Sequence, residues 1–495
     1  AEKPKLGGDI SPFDFPGRES KMSESTPHSS DEDSSGETSS GLILNTTKDQ
    51  GYKPPRLFNE ILPTGGVIRR RWEDFRVEEI PLYTPCGSGE HLYITIEKRN
   101  RTTLQARNHL ARVFEVSPDD VGFAGFKDKR AITTQTFSLP VLSDTKVKDV
   151  EEHWIEVKEV QRHKNKIRTG HLEGNRFEIL IRETREDCLE DVTKILLKIA
   201  LHGLPNFYGP QRFGIHGDGA KVGSALLRRK IDKALDLLLA PREGIVEEYR
   251  DAYAAGDIQQ ALQLLPPGRN TELAMLKSLR SHPDNMRAAA RRIPRPLRKM
   301  YYSAYQSELF NWVLIERMDR SPDAYHSPWA GDICQLEGRR SRFHVDLDPV
   351  AHQIEVERAA AGEVSPTGPI FGRKMKPPLG LAGDVEMAIL EAEGLRAESW
   401  LSHVRGLDLD GSRRPLRVSV GDPEASWHKG EEGEEGLMIK FSLPAGSFAT
   451  TLLDQIMGPE VSRVEVDSGD SRELESQDSR ELESQDSREL ESQDS

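Results

Sequence analysis

The sequence predicts an α+β protein, and three observations support this fold class. Strand patterns, in which apolar and polar residues alternate, lie within 91–182 and return within 331–347 and 436–443. Between the early and late strands, alanine, leucine and arginine recur at helical spacing from about Lys221 to Arg317. Because 495 residues exceed the size at which one core stops growing, we expect more than one domain.

The first elements follow from a change of period. In "HLYITIEKR" (91–99) Leu92, Ile94 and Ile96 point one way and the intervening residues the other, which predicts a half-buried strand. "TTLQARNHLARVFEV" (102–116) then has helical spacing, with Thr102 or Thr103 as the N-cap. Further strands are predicted at "VGFAGF" (121–126), "ITTQTFSLPV" (132–141) and "NRFEILIR" (175–182).

The later elements are a helical block and a return to strands. The strongest helices are "SALLRRKIDKALDLLLA" (224–240) and "AYQSELFNWVLIERM" (304–318). Strands are predicted at "GDICQLEG" (331–338), "RFHVDL" (342–347) and "GLMIKFSL" (436–443). "PAGSFATTLLDQIM" (444–457) contains the last predicted helix.

The acidic charge of the chain is concentrated in its ends. The formal net charge is −14, yet residues 51–458 carry 59 basic and 59 acidic side chains. Residues 23–41 are rich in serine and acid, and "DSRELESQ" repeats with period eight from Asp470, so both ends are predicted to be disordered. The repeat is either a solvated low-complexity tail or an acidic tail that binds a partner. A basic face on the neutral body remains compatible with the overall charge.

Cysteine usage and hydropathy bound the compartment. Cys86, Cys188 and Cys334 are far apart and lack metal-ligand spacing, so we expect a reducing compartment and no metal site. No run of about 18 apolar residues and no secretory signal pattern is present, so no membrane span is expected. The predicted location is the cytoplasm.

The segment "GFAGFKDKRAITTQ" (122–135) carries the strongest chemical signal. Asp128 lies between two predicted strands and is flanked by Lys127, Lys129 and Arg130. Neighbouring cations would favour its charged form, as a nucleophile or base requires, and they could also meet phosphate. The alternative is a solvated turn whose charges serve solubility. The small residues before it leave room for a ligand or a strand to approach the backbone.

Over roughly residues 65–457 the chain resembles the TruD family of pseudouridine synthases. The segment at 122–135 is similar to the catalytic segment of that family. Seven further motifs match in the family's order: "EDFRVEEI" (73–80), "GEHLYITIEKR" (89–99), "GNRFEILIR" (174–182), "LPNFYGPQRFG" (204–214), "GRKM" (372–375), "GSRRPL" (411–416) and "LPAGSFAT" (443–450).

The resemblance implies an enzyme that isomerises a uridine, most typically uridine 13 of transfer RNA, without cofactor or metal. It implies the pseudouridine synthase fold, a mixed and mainly antiparallel sheet flanked by helices, with a large inserted α+β TRUD domain. We expect a monomer with the catalytic domain built from 55–205 and 416–457, the insertion at 206–415, and disordered acidic ends at 1–54 and 458–495.

The resemblance also assigns the site. Asp128 would be the essential carboxylate that acts at the target nucleotide. Phe177 would lie against the target base, or would simply belong to the core of its strand. Asn175 would order the Asp128 loop. The remaining predicted substrate-binding residues are Phe75, Glu79, Arg69, Lys127 and Phe448.

Several of these assignments have an alternative. Phe75 and Glu79 could belong to a half-exposed strand with paired charges, and Phe448 could either line the pocket or fix the last helix to the sheet. The chain also departs from the family pattern. Arg69 stands where the family commonly has lysine, Trp72 replaces a usual proline, and Phe207-Tyr208 reverses the usual order of aromatics.

RNA binding is predicted to rest on basic clusters, each of which could instead be a solvated face. The clusters lie at 69–71, 98–101, 162–168 and 291–299. Two rival functions remain at this stage. One is a non-catalytic RNA-binding protein on the same fold, and the other is a glycosidic hydrolase that releases uracil.

Overall fold

The computed structural model describes residues 55–214, 216–396, 407, 409–430 and 435–458. The predictions for the two acidic ends therefore lie outside the described residues. Within the described ranges, no helix is both long enough and apolar enough to cross a bilayer.

A mixed sheet organises the first and last parts of the described chain. Its order is β13-β14-β6-β1-β4-β2-β5, and β3 pairs with β4. Only β1 and β4 among these neighbours run parallel, so the predicted α+β class with a mainly antiparallel sheet is confirmed. The strands are β1 (Phe75–Pro81), β2 (His91–Arg99), β3 (Gly122–Phe123), β4 (Ile132–Leu139), β5 (Ile155–His163), β6 (Leu172–Ile181), β13 (Gly421–His428) and β14 (Gly436–Pro444).

Helices cover one face of this sheet. Helix α1 (Thr103–Phe114) buries its apolar side against inward residues of β2 and β4, such as Ile94 and Phe137. Helices α2 (Leu189–His202) and α12 (Ala449–Met457) cover β1, β6 and β14 in a second apolar cluster. Burial of this apolar surface is the main stabilising term, and it fixes the strand register.

The start of α1 is fixed by hydrogen bonds between residues that are close in sequence. The Thr102 hydroxyl accepts a hydrogen bond from the backbone N–H of Gln105 (3.1 Å), and the Gln105 side chain accepts from the N–H of Thr102 (2.9 Å). This reciprocal arrangement is a capping box. The predicted N-cap, with Thr102 as one of its two candidates, is confirmed.

Two predicted elements differ from the structure. The helix predicted at 224–240 is two helices, α3 (Gly219–Leu227) and α4 (Ile231–Leu239), because Arg229 has a left-handed backbone (φ +56°). The strand predicted at 121–126 pairs with β4 only at Gly122 and Phe123. After Phe123 the backbone turns towards another segment, where the Ala124 carbonyl accepts from Gly170 N (2.8 Å).

The helical block continues with α5 to α9 and then joins a second sheet. The helices are α5 (Glu248–Ala254), α6 (Ile258–Leu264), α7 (Asn270–Ser281), α8 (Met286–Ala290), α9 (Arg295–Arg320), α10 (Pro349–Ala360) and α11 (Gly380–Ala392). The second sheet has the order β11-β10-β8-β9. Its strands are β8 (Ile333–Leu336), β9 (Arg342–His344), β10 (Val364–Ile370) and β11 (Ser412–Pro415), while β7 (Leu204–Pro205) pairs separately with β12 (Arg417–Val418).

Candidate functional site

Polar residues interrupt the helix-covered face of the main sheet between its two apolar clusters. In the register, Glu79 on β1 is opposite Asn175 on β6, which is opposite Leu443 on β14. Gln135 on β4 is opposite Ile96 on β2, and further along the strands Lys98 is opposite Thr133. Polar side chains at these inward positions are costly unless they are paired, so their partners define the site.

Asp128 lies in the loop between β3 and β4 and is accessible to solvent. Its carboxylate oxygen Oδ2 is 3.1 Å from a guanidinium nitrogen of Arg69, and the two side chains are 32% and 25% exposed. The Arg69 guanidinium in turn lies 4.0 Å from the centre of the Phe75 ring, a cation–π contact. Arg69 has a left-handed backbone (φ +58°), a strained conformation of the kind often found at functional sites.

The backbone of the Asp128 loop is held by buried side chains. Lys98 Nζ donates to the carbonyl oxygens of Arg101 (2.6 Å) and Asp128 (3.1 Å). The Thr103 hydroxyl at the start of α1 accepts from the backbone N–H of Lys127 (2.9 Å) and donates to Gln135 (3.0 Å). The carboxylate is therefore half-buried but accessible, on a loop whose main chain is fixed from below.

Two of the cations that flank Asp128 in sequence, Lys127 and Arg130, contact other groups. Lys127 points into the protein, where its Nζ lies 2.7 Å from Glu79 Oε2 and both side chains are 4% exposed. Arg130 donates to the backbone carbonyl of Arg69 (3.3 Å). Lys127 and Arg130 thus have other partners, and the ion pair described for Asp128 is with Arg69. The expectation that a flanking cation favours the charged form of the carboxylate stays a prediction.

Lys98 is a site residue that sequence reasoning missed. Its side chain is fully buried, and burial lowers its pKa to about 7, with the charge of Asp128 opposing and that of Lys127 reinforcing the change. The sequence does contain a signal, since Lys98 continues the inward alternation of Leu92, Ile94 and Ile96. The basic cluster at 98–101 predicts either contact with RNA or a solvated face, and for Lys98, which is fully buried, both predictions are wrong.

The predicted aromatic residues form a chain of contacts that begins at Arg69. The rings of Phe75 and Phe177 are 6.3 Å apart, edge to face, and Phe177 stacks on Phe441 at 5.1 Å. Phe177 is only 7% exposed and belongs to the apolar cluster under α2 and α12. The structure thus brings Asp128, Arg69 and both phenylalanines together, and it gives Phe177 a core contact as well.

Asn175 holds an unused hydrogen-bond acceptor. Its Oδ1 atom is buried and has no partner, although it sits beside Glu79 in the sheet. The loop contacts described above come from Lys98 and Thr103. Its predicted role in ordering the loop therefore stays a prediction, and a buried acceptor without a partner needs an explanation.

Phe448 lies in a different set of contacts. It is the N-cap residue of α12, and its ring centre is 6.0 Å from that of Tyr208. It also lines a cavity of about 520 Å³ whose other walls come mainly from the helical block, including Arg212 and Thr271. Asp128 is not among the residues that line this cavity, and Tyr208 lies outside the strands, so both alternatives for Phe448 stay predictions.

Comparison with known proteins gives consistent matches over this whole region. Residues 57–456 match the family described as tRNA pseudouridine synthase D (TruD). The chain is 41% identical over 398 residues to the tRNA pseudouridine synthase D of Geobacter metallireducens, covering 80% of this chain and 95% of that protein. It is 40% identical over 407 residues to the protein of the same name from Geotalea daltonii, covering 81% and 99%.

A solved structure supports the same relationship. The crystal structure of the putative tRNA pseudouridine synthase D (TruD) from Methanosarcina mazei superposes with a TM-score of 0.70 at 27% sequence identity. The match covers 82% of this chain and 96% of that one.

Proposed function

Because the chain belongs to the TruD family of tRNA pseudouridine synthases, we propose that it isomerises a uridine of transfer RNA to pseudouridine, and that this uridine is at position 13. The observation that carries the proposal is the solvent-accessible Asp128 carboxylate. It is oriented by Arg69 and sits on a backbone fixed by Lys98 and Thr103. A carboxylate held in this way has the accessibility and the fixed position that attack on a nucleotide requires.

In the proposed reaction Asp128 acts at the target nucleotide while the N1–C1′ bond breaks. The uracil turns without leaving the enzyme, a C5–C1′ bond forms, C5 loses its proton and N1 gains one. Atoms and electrons balance within the nucleotide, so the isomerisation needs no external reactant. The target base must first leave its stack, which costs a few kcal/mol and calls for contacts that hold it.

Side chains around Asp128 supply such contacts. The unpartnered Oδ1 of Asn175 can accept from an N–H group of uracil, which satisfies a buried acceptor and also orients the base. Phe75 lies under the Arg69 guanidinium and packs edge to face with Phe177, and we assign Phe177, which is 7% exposed, to contact with the base. The buried pair of Lys127 and Glu79 supports the loop from beneath.

We further propose that the main sheet belongs to a catalytic domain of residues 55–205 and 416–457, interrupted by an inserted domain at 206–415. The main-sheet strands fall within 75–181 and 421–444, whereas the second sheet falls within 333–415. The short strands β7 and β12 pair with each other at the two proposed junctions, so the chain enters and leaves the insertion at neighbouring points. A transfer RNA substrate and free cysteines favour the cytoplasm as the site of action.

The test compares the wild type with Asp128→Asn and with Asp149→Asn, an exposed control carboxylate. Each protein is incubated with unmodified transfer RNA in buffer containing a chelator, and pseudouridine is mapped by carbodiimide chemistry. We expect a signal at position 13 with wild type and control, and none with Asp128→Asn although RNA binding persists. Modification by Asp128→Asn at the wild-type rate would remove Asp128 from the mechanism. Release of free uracil would instead identify a hydrolase, and RNA binding without modification by the wild type would identify a non-catalytic protein.

A further inference from the structure

A depression on the helical block is lined by four arginines and no carboxylate. Its volume is about 250 Å³, and Arg229, Arg287, Arg291 and Arg298 line it together with Tyr302. The rest of its wall is apolar. We call this feature the arginine depression. It shares no lining residue with the group around Asp128, and only part of it falls in the basic cluster predicted at 291–299.

The four arginines come from three separate parts of the fold. Arg229 forms the turn between α3 and α4, Arg287 and Arg291 lie one helical turn apart at α8, and Arg298 lies one turn before Tyr302 on α9. Like charges at a spacing of four residues repel each other on a helix. Convergence of four cations on one depression therefore costs stability unless an anion compensates it.

Two further observations indicate that this cost is not offset within the protein. Among the described residues, none of the four arginines has a carboxylate within ion-pair distance, and the Arg298 Nε–H is buried without a hydrogen-bond partner. The left-handed backbone of Arg229 (φ +56°) ends helix α3, where Lys230 N donates to the carbonyl of Ala225 (2.9 Å). Four cations without a carboxylate partner and one buried unpartnered donor, all at one place, point to an anionic ligand.

From this geometry we propose that the arginine depression binds a backbone phosphate of the RNA substrate, away from the target uridine. The proposal rests on the proposed function. Guanidinium groups match the geometry of phosphate oxygens and keep their charge at any physiological pH. Arg229, Arg287 and Arg291 are exposed, so the depression is open to a large molecule that continues beyond it, as an RNA strand would. A free phosphate ion could bind through the same contacts, and the experiment below distinguishes it from an RNA phosphate.

The test uses the full chain and measures the Kd for an unmodified transfer RNA transcript over a range of KCl concentrations. The variants are Arg287→Gln with Arg291→Gln, and Arg298→Gln, and the control is Arg280→Gln, an exposed arginine on α7 outside the depression. We expect Kd to rise at least fivefold for each variant in 0.1 M KCl. The slope of log K against log salt should fall by about 0.7 to 0.9 for each phosphate that the variant no longer neutralises. The control should change neither quantity.

Arg229→Gly distinguishes weaker phosphate binding from misfolding. Glycine adopts the left-handed backbone without strain, so this variant should keep or raise the melting temperature while it weakens RNA binding. An unchanged Kd and salt slope in all depression variants would overturn the proposal. A second result would also overturn it: inorganic phosphate raises the melting temperature of the wild type but not of the variants, while RNA binding is unaffected. The depression would then hold a free anion.

The experiments distinguish failure of the proposed function from failure of the phosphate site. If the wild type binds transfer RNA through these arginines but forms no pseudouridine, the isomerase assignment fails and the phosphate site stands. If pseudouridine forms normally and the salt slope does not depend on these arginines, the phosphate site fails alone.

Discussion

Replacement of Lys98 by methionine tests how the buried lysine couples stability to the position of Asp128. Lys98 is fully buried and donates to the carbonyl oxygens of Arg101 and Asp128. Methionine has a similar length and no charge, so Lys98→Met removes the ammonium group and both hydrogen bonds while it keeps most of the packing.

The expected size of the effect follows from the pKa. Burial lowers the pKa of Lys98 from 10.5 to about 7. The unfolded chain therefore binds more protons than the folded protein between these values, so this residue makes folding stability rise with pH. The destabilising contribution is at most about 5 kcal/mol below pH 7 and disappears above about pH 10.5. Between pH 6 and pH 9 it should change by roughly 2 to 3 kcal/mol.

Urea unfolding at pH 6 and pH 9 provides the assay. The free energy of unfolding of the wild type should increase between these values by roughly 2 to 3 kcal/mol more than that of Lys98→Met, since other groups titrate equally in both. Lys194→Met, at an exposed lysine of α2, is the control and should behave as the wild type does. Identical pH dependence in wild type and Lys98→Met would show that Lys98 does not titrate as the structure indicates.

We expect Lys98→Met to lower activity even though it removes a destabilising charge at pH 6. Without its donor, the Asp128 carbonyl loses the hydrogen bond that fixes the loop, so kcat should fall tenfold or more with a smaller change in KM. A variant that is more stable at pH 6 yet slower would identify Lys98 as a positioning residue. Full activity in Lys98→Met would contradict this role.

Three further experiments test the surrounding contacts. Arg69→Lys keeps the charge but loses the planar contact with Phe75. We expect kcat to fall about tenfold with little change in melting temperature, both measured against the wild type. Glu79→Gln should lower the free energy of unfolding by about 3 kcal/mol because it leaves Lys127 buried without its partner, and Glu79→Gln with Lys127→Met should recover much of this loss in a double-mutant cycle. Thr102→Ala should cost about 1 kcal/mol by urea unfolding without lowering kcat, and a much larger loss would mean that the cap does more than close the first turn of α1.

The sequence predicted those features that depend on near neighbours. The alternation in β2 and the cap of α1 are set by residues within a few positions of each other, and both are found. The break at Arg229 was missed because "LLRRKID" has uninterrupted helical composition, and only the left-handed backbone at that residue reveals it. Helical spacing describes which side chains could share a face, but it does not show where the backbone turns.

The site was predictable in its residue types but not in its pairing. Asp128 and Arg69 are distant in sequence, with β1, β2, α1 and β3 between them. Arg69 precedes β1 and Asp128 precedes β4, so their ion pair depends on the parallel pairing of these two strands. Adjacent cations were the natural candidates, but adjacent side chains diverge and Lys127 serves Glu79 instead. Only the motif resemblance placed Arg69 near the carboxylate, and it did so without indicating which cation would be in contact.

The buried charges beneath the loop explain why the site carries more basic residues than one carboxylate needs. A lysine opposite Thr133 and a Lys127–Glu79 pair inside the sheet both weaken the fold relative to apolar residues of similar size. Each of them, however, reaches the loop that carries Asp128, by a hydrogen bond or by chain connection. These buried charges lower the stability of the fold and make the Asp128 loop more rigid. Such a trade-off between stability and function is expected at an active site. The position of Asp128 therefore depends more on the charged groups buried beneath its loop than on the cations next to it in sequence.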